Sequence, residues 1–154
     1  MAIRTIRTEE DSLLRKISRP VKNINDNVKV LLDDMKETLE MRNGLGIAAP
    51  QVGVLKRIIL VIDNDDNLIE IINPEIVESS GLQKSQEGCL SVKNIRGEVD
   101  RPEFIKVKGL DRNGNEFIID GDKRLATVLS HEIDHLNGIL FIDKITSKEY
   151  EEEE

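Results

Sequence analysis

His131-Glu132-Ile133-Asp134-His135 is the stretch whose reading decides this chain. Its HExxH spacing belongs on a helix, where residues i and i+4 share a face. Two imidazoles can then hold one metal ion, and Glu132 stands beside them to move a proton. The chain has two histidines, and both are here. The spacing predicts a helix from Asp122 to Asn137, with Gly138 as its stop. With His131 at zero on the helical wheel, His135 falls at about 40 degrees and Val128 at about 60. Leu125, Leu129, Ile133 and Leu136 form the buried stripe, and Thr127, Ser130, Asp134 and Asn137 the opposite arc. The histidines therefore sit at the edge of the stripe, over a cleft that Val128 should line.

Two imidazoles do not complete a catalytic site, which usually takes three protein ligands and leaves a position for water. The metzincin pattern HExxHxxGxxH fails, because Gly138 is present but Phe141 stands where the third histidine belongs. The other candidate is Cys89, the one cysteine, in Glu87-Gly88-Cys89-Leu90-Ser91. A lone cysteine is commonly a small buried hydrophobe, but a thiolate also completes a soft N/S donor set. Glu87 and Arg101 are candidates to orient the ligands, with a solvated surface position an equal reading for Arg101.

The 154 residues fit one compact domain, predicted as 1-148 with an acidic tail at 149-154. A net charge of -8 opposes attraction to nucleic acid and anionic membranes. No run reaches the roughly 18 apolar residues of a membrane span, the N-terminus lacks a secretory pattern, and one cysteine makes no internal disulfide. A cytoplasmic, unsecreted enzyme is expected. Asp11 to Lys16 is a candidate short helix. From Asn25 on, Val28, Leu31, Leu32, Met35 and Leu39 recur at helical spacing up to a stop at Gly44. Gly44 to Gly53 is too irregular for an ordinary helix or strand and lacks the features of a nucleotide-binding loop. Arg57 to Asp63 and Leu68 to Ile72 are predicted strands, Glu75 to Ser79 an extension of the sheet, and Phe104 to Asp111 and Phe117 to Asp120 a hairpin around Asn113-Gly114. The fold class is α+β, with antiparallel sheets packed around the C-terminal helix bearing HExxH.

Three segments, Gly44-Leu45-Gly46-Ile47-Ala48-Ala49-Pro50-Gln51, Glu87-Gly88-Cys89-Leu90-Ser91 and His131-Glu132-Ile133-Asp134-His135, resemble in order the three motifs of the peptide deformylases, and the resemblance extends over nearly the whole chain. It implies removal of the N-formyl group from the initiator methionine of newly made bacterial-type polypeptides, with release of formate. It assigns Cys89, His131 and His135 to a divalent metal, typically Fe(II), with Zn(II), Ni(II) or Co(II) able to use the same ligands. It makes Glu132 the group that takes a proton from the attacking water and returns it to the leaving amine. Gln51 and the Leu90 N–H become oxyanion donors, and Gly46, Ile47, Val128 and Arg96 substrate contacts. Lys93-Asn94 stands where many relatives have proline, which bears on the substrate rim. Transient ribosome contact is expected to be weak and insensitive to salt, since the tail is acidic. Two other readings of the residues are an HExxH metalloprotease with a different third ligand, and a non-catalytic protein holding a structural metal.

Overall fold

The computed structural model describes the backbone of residues 2–150 and the side chains of residues 2–146. The order of elements is α1 (Asp26–Arg42), β1 (Gly46–Ala48), β2 (Ile58–Ile62), β3 (Leu68–Ser80), β4 (Gln83–Cys89), β5 (Val92–Arg101), β6 (Phe104–Leu110), β7 (Glu116–Asp122), α2 (Lys123–Leu136) and β8 (Ile145–Tyr150), with short 3-10 turns at Ser12–Arg15, Ala49–Val52 and Phe141–Asp143. One sheet has the order β1-β2-β3-β6-β7 and the other β4-β5-β8. Every pairing within them is antiparallel.

The apolar run Ile58-Ile59-Leu60-Val61 explains how the large sheet is used. Successive side chains of a strand point to opposite faces, and β2 is covered on both. Ile58 and Leu60 pack with Val28, Leu31, Leu32, Met35 and Leu39 of α1. Ile59 and Val61 pack with Leu125, Leu129, Ile133 and Leu136 of α2. The sheet is thus a layer between two helices, and each fully buried side chain of this size contributes about 1.5–3 kcal/mol. A third apolar cluster of Leu14, Val92, Val99, Leu140 and Phe141 seats the small sheet.

Helix α1 begins where predicted: the Asn25 side chain accepts the Val28 N–H at 3.1 Å. It ends at Asn43, in the left-handed conformation at φ 52, one residue before the expected glycine. The hairpin at Asn113-Gly114 forms as expected, with Gly114 at φ 83. Glu75 to Ser79 belongs to the same strand as Leu68 to Ile72, which continues past Asn73-Pro74 through a bulge. At that bulge the Asn73 side chain bonds both the N–H and the C=O of Val21, at 2.8 and 2.9 Å.

Several elements differ from the sequence expectation. The glycine segment does contain regular structure: Gly46–Ala48 is a short strand on β2, and Ala49–Val52 a 3-10 turn. Of the residues assigned to the acidic tail, Glu149 and Tyr150 pair with Arg96 and Ile95 at the end of β8; residues 151–154 lie outside the described residues. On the arc of α2 opposite the apolar stripe Ser130 is also buried, and its hydroxyl donates to the Ala126 carbonyl at 2.8 Å.

Candidate active site and metal centre

Cys89 ends β4, and His131 and His135 lie on successive turns of α2. Their donor atoms all fall within 4.8 Å of one another, and Cys89 Sγ lies 3.4 Å from His135 Nε2. A tetrahedral ion with bonds of about 2.0–2.3 Å has donors about 3.5 Å apart, so this donor set fits a divalent metal. Among the described residues three side chains converge and no fourth Cys or His is near, which is the arrangement of a catalytic rather than a closed structural site. The position of a metzincin third ligand is filled by Phe141, whose ring stacks on His131 at a centroid distance of 6.0 Å.

Behind the histidines lies a charged scaffold. His131 Nδ1 is 2.9 Å from Glu87 Oε1, which leaves Nε2 for the metal side. Arg101 grips Glu87 with two bonds, Nε to Oε2 at 2.9 Å and Nη2 to Oε1 at 2.8 Å, and its Nη1 donates to Asp134 at 2.7 Å. Arg101 is 2% exposed, so the solvated reading of this residue is overturned. Burial alone would raise the Glu87 carboxyl, but the hydrogen bonds from Arg101 and His131 outweigh it and hold it at about 2. Burial likewise opposes charge on His131; its bonds to Cys89 and Glu87 win and raise it well above the usual value. A metal ion held by the same imidazole would take the place of that proton. Burial keeps His135 neutral, aided by the nearby His131 and Arg101 charges.

Glu132 is the unusual group. It is 4% exposed, and its Oε1 is buried without a hydrogen-bond partner among the described residues. Burial lifts its carboxyl to about 7, the His131 charge pulling in the other direction. A buried acceptor left unpaired costs about 1–3 kcal/mol, and such groups collect where a reactant is to be bound. Strand β1 runs against this carboxylate so closely that a Cβ on Gly46 would stand 2.6 Å from Glu132 Oε2 and 2.8 Å from Val128 Cγ1. Only glycine permits that approach.

Gln51 is held at both ends of its amide. Oε1 accepts the Ala48 N–H at 2.9 Å, while Nε2 donates to Ser91 Oγ at 3.1 Å and lies 3.7 Å from Cys89 Sγ. Leu90 and Ser91 are the two-residue turn of the β4–β5 hairpin, closed by the Cys89–Val92 pair, so the Leu90 N–H sits next to the thiol. Together these groups face a cleft of about 640 Å³ whose lining includes Gly46, Gln51, Leu90, Arg96, Val128 and Glu132. Ile47 departs from expectation: its side chain is fully buried against α1, because alternation along β1 turns Gly46 to the cleft and Ile47 into the core.

The family profile described as polypeptide deformylase matches residues 3–151. The chain belongs to the polypeptide deformylase family. It is 54% identical to a peptide deformylase of Acetivibrio thermocellus over 145 residues, 94% of this chain and 85% of that protein. With a peptide deformylase of Alkaliphilus metalliredigens the identity is 55% over 94% of this chain and 98% of the other. Among solved structures, the peptide deformylase of Ehrlichia chaffeensis in complex with actinonin superposes with a TM-score of 0.91 at 41% identity, covering 95% of this chain and 90% of that one. The Thermotoga maritima peptide deformylase gives 0.90 at 37% identity, with 95% and 99% covered.

Within this deformylase frame the three motifs meet at one cleft: the first along β1 and its following turn, the second at the β4–β5 corner, the third on α2. Sequence reasoning missed Ser91, the hydroxyl that orients Gln51, and the bond from Arg101 to Asp134. The Glu87–Arg101 pairing had no sequence signal beyond its two residue types. No helix of the described residues is long and apolar enough to cross a membrane.

Proposed function

We propose that this chain hydrolyses the N-formyl group from the N-terminal methionine of newly made polypeptides, releasing formate, and that it does so in the cytoplasm. The observation that carries this reading is the buried Glu132 carboxylate, its Oε1 without a partner among the described residues, beside a three-donor Cys89/His131/His135 site, with Gln51 fixed across from it. A divalent ion bound by those three residues supplies a Lewis acid, which acidifies water and polarises a carbonyl oxygen. Iron(II) is the ion we assign, with zinc, nickel and cobalt as alternatives for this N/S donor set. Equal activity per bound metal for anaerobically purified protein and its zinc-reconstituted form would sink the iron assignment.

The chain's own groups do the rest. Glu132 takes one proton from the attacking water as its oxygen bonds to the formyl carbon. It returns that proton to the amine nitrogen when the C–N bond breaks, while the water's second proton stays on the released carboxyl and passes to solvent as formate leaves. Negative charge on the formyl oxygen is met by the Gln51 amide and the Leu90 N–H; removing one such donor costs about 3 kcal/mol of barrier. Val128 contributes to the wall that takes the methionine side chain. The backbone of Gly46 binds the peptide itself: the Ala48 N–H turns away from β2 to Gln51, and alternation puts the Gly46 N–H and C=O on that same free edge. An extended substrate can add there as a strand. Arg96, with its guanidinium 3.0 Å from where a Gly88 Cβ would stand, flanks the opposite wall.

Formate release from formyl-Met-Ala-Ser tests the reading directly. It should be lost in Glu132→Gln with the metal retained, and turnover surviving in that variant would remove Glu132 from its role. Ribosome contact, if made by a chain of net charge -8, should be weak and unaffected by salt. Tight binding that collapses on adding salt would contradict this.

A further inference from the structure

The cleft is opposite in sign to the protein around it. The chain carries a net charge of -8, yet the ionisable side chains lining the cleft, apart from Cys89 and His131, are Arg42, Lys84, Arg96 and Arg124 against Glu87 and Glu132. Both acids are buried, and Glu87 is locked to Arg101. With the acids buried, the sign shown to solvent is set by those cations, of which Arg96 is itself engaged with a partner. Lys84 is largely neutralised by Asp100 at 2.6 Å and Glu98 at 3.8 Å. Arg124 donates through Nη2 to the Asp63 carbonyl at 2.7 Å and leans with the same nitrogen on Asp66 at 3.4 Å, at a side chain 41% exposed, so its Nη1 and Nε, with no partner among the described residues, are what it offers to an incoming carboxylate. Arg42 is exposed at the last residue of α1 and has no ion-pair partner among the described residues.

Position along the cleft follows from the chemistry. Gln51 and Leu90 receive the formyl oxygen at the end of β1 that leads into the closed 3-10 turn. The peptide beyond the methionine then runs antiparallel to β1, from Gly46 towards Gly44 and Arg42. The four steps from Gly46 to Arg42 span at most about 13 Å at about 3.3 Å each, which brings the third and fourth substrate residues abreast of Arg42. Arg124 stands one turn before Val128 on α2, at the mouth of the methionine pocket, on the side that the third side chain of an extended peptide shares with the first.

We propose that this rim selects formylated peptides bearing carboxylate side chains at their third and fourth positions, with Arg42 and Arg124 as the specificity-determining residues. This rests on the deformylase reading above. A cationic rim on an acidic protein concentrates its field in the cleft and sorts substrates by the sign of their charge.

The test compares kcat/KM for C-terminally amidated formyl-Met-Ala-Asp-Asp, formyl-Met-Ala-Ser-Ser and formyl-Met-Ala-Lys-Lys on the metal-loaded protein. Amidation is essential, since a free carboxylate would give every peptide the same anion. Each exposed ion pair contributes about two- to fivefold, so the Asp peptide should exceed the Ser peptide by about fivefold, mainly through KM, with the Lys peptide slowest. The gap should close in about 1 M salt, and the Asp-to-Ser ratio should fall towards one in the Arg42→Gln/Arg124→Gln protein. Equal kcat/KM for all three peptides, or a preference for lysine, with the Ser peptide well hydrolysed, would overturn the proposal and leave the deformylase reading intact. Failure to hydrolyse any of them would overturn both.

Discussion

At the scale of single residues, Glu132 and Glu87 show how position decides the behaviour of one side-chain type. Both are buried carboxylates, but Glu87 has two guanidinium bonds while Glu132 has an oxygen with no partner. Burial holds Glu132 at about 7 without a metal, and a bound cation moves it down from there. Its base form is lost as pH falls, so kcat/KM should drop along an acid limb lying between the ordinary carboxylate range and 7. A rate that stays level through that interval would exclude Glu132 as the base. Glu87 has the reverse sign: its folded value, about 2, lies below its ordinary 4.5. Its contribution is complete above pH 4.5 and lost as pH falls through the folded value, on the order of 3 kcal/mol in all. Urea unfolding at pH 6, 4 and 3 should show this slope in the wild-type protein and not in Glu87→Gln.

At the scale of elements, the contact of β1 with α2 sets the catalytic geometry. Gly46→Ala places a methyl within 2.6 Å of Glu132 Oε2 and 2.8 Å of Val128 Cγ1. One of the two elements must shift, and a displacement of about 1 Å at a reacting group costs about 100-fold in rate. We expect that loss in kcat with a circular dichroism spectrum like that of the wild type. Activity within a few-fold would mean that β1 moves freely without disturbing Glu132. The C-terminus of α2 is held just as closely: Gly138, at φ 73, faces the Arg15 carbonyl, which a Cβ there would strike. Substituting it should lower stability rather than catalysis, because it lies where the helix meets the Ser12–Arg15 turn and not in the cleft.

At the scale of the whole molecule, the three side chains that could hold a metal join the two sheets' surroundings: Cys89 comes from the small sheet, and both histidines come from the helix packed on the large one. A ligand that binds the folded chain and not the unfolded one adds RT ln(1 + [L]/Kd), about 4 kcal/mol at a thousandfold excess over Kd. Chelation should therefore lower Tm by several degrees, restored by Fe(II) or Zn(II). The Cys89→Ala variant should lose most of that metal-dependent shift, and an unchanged Tm after chelation would mean that the ion contributes nothing to holding the sheet against the helix.

Much of this was legible in the linear chain because periodicity and residue chemistry are local. The HExxH helix, the apolar stripe of α1, the all-apolar β2 and the Asn113-Gly114 hairpin are written in consecutive residues, and so is the supply of ligands, two histidines and one thiol. Strands β4, β5 and β8 were not predicted, since their alternation is weak and their stability comes from pairing with one another and from the Phe141 cluster. The sequence by itself determined which groups could carry the chemistry. Only the tertiary structure decided that Cys89 meets His135 across 46 residues, that Arg101 is buried on Glu87, that Ser91 orients Gln51, that Ile47 turns inward, and that Arg42 and Arg124 line one cleft. Those are distances between segments remote in sequence, set by how strands pair and helices pack on them, and no local pattern of residues encodes them.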